Sequence, residues 1–365
     1  MAIVPRQRVE AGPAALAREV RIRHALESPI AGPIITLVSV FILFLIFVPS
    51  FRRVEAWAGI VNAATLTGII TIGVTMLMIA GEFDLSVGPM MAWGAYLFGF
   101  MIQRGDPPLL ALVMGLLVPS LLGAFNGLIF NWTRIPSFII TLSTQFIYRS
   151  ALWVFSGGNM VQTTAKSLPV YTFFNGRLDW LAKLVEGANF RTSIFWLIGL
   201  VVLFQIILVR TQFGNHILAT GGNPGAAAAQ GVNVKKIKFA CFTLTGLLSG
   251  LAGVMLFSQY GTARIATGAG EELLAIAAAV VGGTLLTGGS GSIVGGLLGI
   301  ITISMLRTGV VRLDIIDPDN FPAVVGVTII VAAIFNNYLR TGDISALVRF
   351  FSFRKGAFWR RALPD

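Results

Sequence analysis

The chain has 365 residues, 55% hydrophobic and only 12% charged, with a mean hydropathy of +0.82. A soluble domain carries about 25% charged residues, so this composition excludes a soluble fold and points to a polytopic helical membrane protein. The net charge of +11 would suggest nucleic acid in a soluble chain; here basic loops held on the inner side account for it, and no nucleic-acid partner is expected.

Residues 1–29 are mostly polar and basic, with Arg6, Arg8, Arg18, Arg21 and Arg23. No short apolar region leads into a cleavage site, so no cleavable leader is expected. Ala14–Ser28 alternates apolar residues with arginines, which fits an interfacial helix and a disordered basic tail about equally. Ten apolar runs follow: Ile34–Val48, Ile60–Ala80, Leu85–Ile102, Leu109–Phe130, Ile135–Phe155, Ser193–Val209, Ile237–Phe257, Leu273–Leu286, Ser292–Leu306 and Phe321–Phe335. Many approach the roughly 20 residues that cross a bilayer, and none alternates as barrel strands do. The runs at Leu273 and Ser292 are short and glycine-broken; they are expected to be tilted spans or half-helices buried in protein.

The C-terminal end is basic too, with Arg340, Arg349, Arg354, Lys355, Arg360 and Arg361. Both ends are therefore expected in the cytoplasm, with an even number of spans. The expected organisation is a cytoplasmic segment 1–29, a membrane domain 30–340 and a cytoplasmic tail 341–365. Within the domain, a loop at 211–236 faces the cytoplasm and one at about 156–191 faces the opposite side.

The 211–236 loop holds a polar, alanine-rich island. Asn223 is a good N-cap, and Pro224 suits the first helical position, where its missing N–H is no loss. Gly225, Ala226, Ala227, Ala228, Ala229 and Gln230 continue a helix that Gly231 can close in the left-handed region. About seven residues of helix are too few to be stable alone in water, so a partner is expected to pack on it.

Glycine, 41 residues in all, recurs at four-residue spacing at Gly246 and Gly250, with Gly253 close by, and at Gly291, Gly295 and Gly299. In lipid such spacing lets helices approach closely, in a tight bundle or at a subunit interface. Two glycine-rich interruptions, Gly81–Gly88 and Gly288–Gly295, echo each other weakly, as inverted-repeat transporters do.

No catalytic constellation is visible. No phosphate-binding lysine follows the glycine-rich stretch, no metal-binding histidine pair occurs, and one cysteine, Cys241, rules out an internal disulfide. Of the acids, only Glu82 and Asp84 approach a span. Asp84 reads as an N-cap for a helix beginning at Leu85, supported by Ser86, or as a gating contact. Arg149 is the most embedded charge; it either snorkels, meets a helix end or contacts solute. Asn62, Asn126, Ser143 and Gln145 are polar groups within spans, suited to interhelical hydrogen bonds or to a solute path.

Three blocks resemble one family. Gly81-Glu-Phe-Asp-Leu-Ser-Val-Gly88 is similar to the Gly-Gly-Ile-Asp-Leu-Ser-Val-Gly signature of permease subunits of ribose-type (simple-sugar) ABC importers. Residues 221–236 resemble its cytoplasmic coupling segment, and 275–292 its third glycine-rich block. The blocks occur in family order, and the likeness runs from about Ile60 to Phe335. Glu82 replaces the second signature glycine, and Gly225 replaces the glutamate of the general coupling pattern.

The resemblance implies a glycine-rich bundle of about ten helices in the inner membrane, forming the channel subunit of an ATP-driven importer for a monosaccharide or related solute. It implies a second permease copy, separate ATPase subunits holding ATP and magnesium, and a periplasmic solute-binding protein, with no cofactor on this chain. Residues 223–231 then become the coupling helix, and Glu82, Asp84, Ser86 and Gly88 gating candidates. A branched-chain amino-acid permease and a motor-independent carrier are the alternatives.

Overall fold

A computed structural model describes residues 30–163, 168–313, 317 and 320–341. The basic segment 1–29, with its Ala14–Ser28 stretch, and the tail from 342 lie outside the described residues. The described helices are α1 (Ala31–Phe47), α2 (Val54–Ile79), α3 (Val87–Gln103), α4 (Pro108–Thr133), α5 (Ser137–Ser156), α6 (Pro169–Asn175), α7 (Asp179–Leu184) and α8 (Ser193–Arg210). They continue with α9 (Gln212–Gly222), α10 (Pro224–Ala229), α11 (Val234–Tyr260), α12 (Glu271–Val281), α13 (Ile293–Leu313) and α14 (Phe321–Thr341). The all-helical expectation needs one addition: β1 (Val161–Gln162) and β2 (Thr262–Ala263) pair antiparallel and tie two loops at one end of the bundle.

Among the described residues, α2, α4, α5, α8, α11 and α13 are long and apolar enough to cross a membrane; α1 and Phe321–Phe335 of α14 are shorter apolar helices. With 11 residues, α12 rises about 16 Å, half of a ~30 Å hydrocarbon layer. The Leu273 run is therefore a half-helix followed by irregular chain. The Ser292 run, by contrast, is unbroken: α13 has 21 residues. Its N-terminus is well satisfied. Ser292 Oγ accepts from the Gly295 amide at 2.9 Å, and Gln205 Oε1, reaching from α8, accepts from the amides of Ile293 and Val294 at 2.9 and 3.2 Å.

The bundle is organised around α11, which packs along α4, α3 and α2. Glycine makes these approaches possible. A Cβ on Gly246 would overlap the Pro119 carbonyl oxygen of α4, and one on Gly250 would lie 2.8 Å from the Gly115 carbonyl oxygen. Cβ atoms on Gly295 and Gly299 would overlap the carbonyl oxygens of Gly282 and Ala278, and one on Gly291 would lie 2.8 Å from Ile79 Cγ1. These glycines thus seat helices within the chain. The outer faces of α4 and α8 are apolar and exposed, with Leu117, Leu121, Phe125, Ile198, Val202 and Ile206, as lipid contact requires.

Between α5 and α8, residues 168–192 are folded rather than loose: they hold α6 and α7, and an isolated bridge joins Arg177 to Arg191. The ring of Tyr171 packs 6.1 Å from Phe98 and 6.2 Å from Phe257. The opposite end carries α9 and α10. Helix α9 went unread in the sequence; Thr211 caps it, its hydroxyl accepting from the Gly214 amide at 3.2 Å.

Candidate functional site

The α10 helix has the geometry its sequence predicts. Asn223 Oδ1 accepts from the Ala226 amide at 3.0 Å, Pro224 stands at the first helical position, and Gly231 turns the chain at φ +86°. Ala227 is buried at 6% exposure, whereas Asn223–Ala226, Ala228, Ala229 and Gln230 are exposed. A six-residue helix held by one buried side chain leaves most of its surface open. Lys235 and Lys236 stand exposed beside it.

A second feature lies within the bundle. Asp84 is fully buried. Its Oδ1 accepts from the Ser86 amide at 2.8 Å and from the Ser86 hydroxyl at 2.6 Å, while Oδ2 accepts from the Thr245 hydroxyl at 3.0 Å. The N-cap reading of Asp84 is corrected: α3 starts at Val87, and Asp84 closes a turn onto the residue two ahead. Asn126 Nδ2 donates to Ser86 Oγ at 2.8 Å, and the Tyr148 hydroxyl lies 2.8 Å from Asn126 Oδ1. One chain of hydrogen bonds therefore links α5, α4, the 80–86 turn and α11. Buried polar chains of this kind define one arrangement of their helices, because each unpaired member costs about 1–3 kcal/mol.

Glu82 pairs with Lys238 of α11, each side chain only 11% exposed, and the Lys238 ammonium sits 5.0 Å from the centre of the Phe130 ring. The departure from glycine at position 82 is thus matched by a cation on the facing helix. Removing either partner alone would strand a buried charge, typically at a cost of about 3–5 kcal/mol.

The expectation that Glu82 and Asp84 are the only acids near the spans is also corrected. Glu272 is buried in the first turn of α12 and accepts from Gln145 Nε2 at 2.9 Å; Glu271 beside it has a buried carboxylate oxygen. The 261–270 connection dips into the bundle and brings them there. Arg149 holds that connection by donating to the carbonyls of Ile265 and Thr267, the latter at 2.7 Å. Gly88 completes the contact: its missing side chain makes room for the Gly268 carbonyl and for Glu272 Oε2, which would lie 2.6 Å from a Cβ there. No local pattern marks these acids as buried; only the fold does.

Of the other polar span residues, Asn62 donates to the Asn189 carbonyl at 2.7 Å, near the α6–α7 end and away from this cluster. Ser143 is exposed on α5 and donates back to the Ile139 carbonyl at 2.8 Å. Among the described residues no group of three or more His, Cys, Asp or Glu could hold a metal ion.

A bundle of apolar helices with a buried polar chain, a broken span and an exposed capped helix at one end fits a multi-pass membrane protein. The chain belongs to the family described as branched-chain amino acid transport system / permease component, whose model matches residues 57–333. It is 33% identical over 307 residues to the ribose import permease protein of Bacillus subtilis (strain 168), covering 84% of this chain and 92% of the relative. It is 31% identical over 318 residues to the autoinducer 2 import system permease protein of Escherichia coli O157:H7, covering 84% and 87%. It is 30% identical over 325 residues to the fructose import permease protein of Rhizobium meliloti, covering 88% and 89%. No solved structure matches the chain. The chain is a permease component and not an enzyme.

Proposed function

We propose that this chain is the channel-forming subunit of an ATP-driven importer that moves a monosaccharide or a related small polar solute across the inner membrane. The carrying observation is identity of 30–33% over 80% or more of the chain to permeases named for ribose, fructose and autoinducer 2 import. ATP and magnesium belong to a separate ATPase subunit, and a periplasmic binding protein delivers the solute. Residues 223–231 dock the ATPase: the helix is capped, short, largely exposed and lined by small side chains that permit close approach. Both termini and this helix lie in the cytoplasm, and the loop at about 156–191 faces the periplasm.

A second permease copy is supported by α5. It is as little buried in the single chain as α4 and α8, 28% against 22% and 28%, yet its mean hydropathy is 1.2 against 2.1 and 2.3. A helix with Ser143 and Ser150 exposed and Gln145 and Arg149 only half-buried is costly against lipid. We place its edge toward the partner copy and the solute path, with Gln145, Arg149 and Asn126 nearest the path. ATP binding closes the motor subunits, moves residues 223–231 and rocks the bundle between inward- and outward-facing states.

The family description names branched-chain amino acids, so uptake competition separates the two readings. In cells expressing the complete system, excess ribose, fructose or a related furanose should suppress the labelled solute's uptake while leucine does not. Suppression by leucine alone would reverse the assignment.

A further inference from the structure

Three segments far apart in sequence meet backbone to backbone at the α9–α10 end. The Gly289 amide donates to the Ile79 carbonyl at 2.8 Å, joining the turn before α13 to the end of α2. Gly221, in the last turn of α9, lies between them. A Cβ on Gly221 would overlap the Ile79 carbonyl oxygen and stand 2.6 Å from the Gly289 amide nitrogen. A Cβ on Gly288 would stand 2.7 Å from Gly81 Cα, and one on Gly289 2.6 Å from Gly222 Cα. Gly81, Gly288 and Gly289 all have positive φ, from +77° to +88°, which glycine adopts without strain. Thr220 and Thr284 flank the contact with buried hydroxyls that have no hydrogen-bond partner.

Each segment leads to a different element. Gly221 and Gly222 run directly into Asn223 and α10. Gly81 opens the turn that carries Glu82, Asp84 and Ser86. Gly288 and Gly289 follow the half-helix α12, which carries Glu272. No side chain stands between the segments, so displacement of one is passed to the others by backbone contact. Packed contacts of this kind shift between discrete arrangements rather than deforming smoothly.

We propose that Gly221 is a positioning residue for transport: through the Gly81–Gly221–Gly289 junction it passes the movement of the coupling helix to the Asp84 turn and to α12. This rests on the reading of residues 223–231 as the ATPase-docking helix.

The test uses the full complex, reconstituted with its ATPase and binding protein. Gly221→Ala should leave ATPase co-purification and basal ATP hydrolysis within about twofold of the unaltered chain, while uptake falls about tenfold or more. Gly199→Ala, where no atom lies within 4 Å of the added Cβ, should leave all three unchanged. Undiminished uptake in Gly221→Ala, with the complex assembled, overturns the junction. Failure of the unaltered chain to bind any ATPase overturns the underlying docking reading instead. If Gly221→Ala does not insert, hydrogen exchange of the unaltered complex decides. ATP should change protection at residues 81–86 and 282–290 together with 223–231; a change confined to 223–231 overturns the proposal.

Discussion

Replacing Ala228 with arginine should abolish most uptake while the chain still inserts and the ATPase still hydrolyses ATP. Ala228 is exposed on α10 and bears on no buried contact, so a long cation there leaves the fold intact. It does block close approach by a partner, and a clash with an unpaired charge is an efficient way to reject a docking surface. A penalty of about 3 kcal/mol weakens association roughly 100-fold. The choice between neighbouring alanines matters. Ala227 is the buried residue of the helix, so a bulky group there would damage the helix's own seat and confuse folding with docking. Normal uptake by Ala228→Arg, at a membrane level equal to the unaltered chain, would show that this face docks nothing.

The second large effect is expected at Asp84. Asp84→Ala removes the acceptor of three hydrogen bonds at once, from the Ser86 amide, the Ser86 hydroxyl and the Thr245 hydroxyl. The Ser86 amide and hydroxyl then stay buried without that acceptor, at about 1–3 kcal/mol each, while the Thr245 hydroxyl keeps the Phe242 carbonyl at 2.7 Å. The variant should show a sharply lower thermal midpoint in detergent and reduced abundance. Asp84→Asn keeps an acceptor oxygen and the same shape, and should fall between Asp84→Ala and the unaltered chain. A Ser86→Ala change releases one of the donors and breaks the link to Asn126, so its effect should not add to that of Asp84→Ala. Equal thermal midpoints for Asp84→Ala and the unaltered chain would contradict the role of this chain of hydrogen bonds in defining the helix arrangement.

What could be read beforehand was local. The cap at Asn223, the proline at 224 and the turn at Gly231 act within one helical turn, so their order in the chain specifies them. The long apolar runs were equally readable, because each is a continuous stretch that no soluble loop would carry. The misses share a different cause. Helix α9 depends on Thr211 as a cap, but Gly214, Gly221 and Gly222 within it lower helix propensity and made the stretch look like a loop. Glu271 and Glu272 occupy the first turn of a helix, a common surface arrangement. Their burial follows from the 261–270 connection entering the bundle and from the space left by Gly88, 184 residues before Glu272. The pairing of Glu82 with Lys238 spans 156 residues and leaves no local trace. Ser143 and Gln145 are two residues apart on one helix, yet one is exposed and the other meets Glu272. Residue type identifies both as polar; only packing decides which one turns inward.

The most direct measurement is affinity purification of the tagged chain from its native membrane, followed by mass spectrometry of what accompanies it. The account predicts a separate ATPase subunit, recovered with the unaltered chain and lost with Ala228→Arg, and ATP-dependent solute uptake by the recovered complex. Recovery of the chain alone, with uptake driven by an ion gradient and indifferent to ATP, would contradict it.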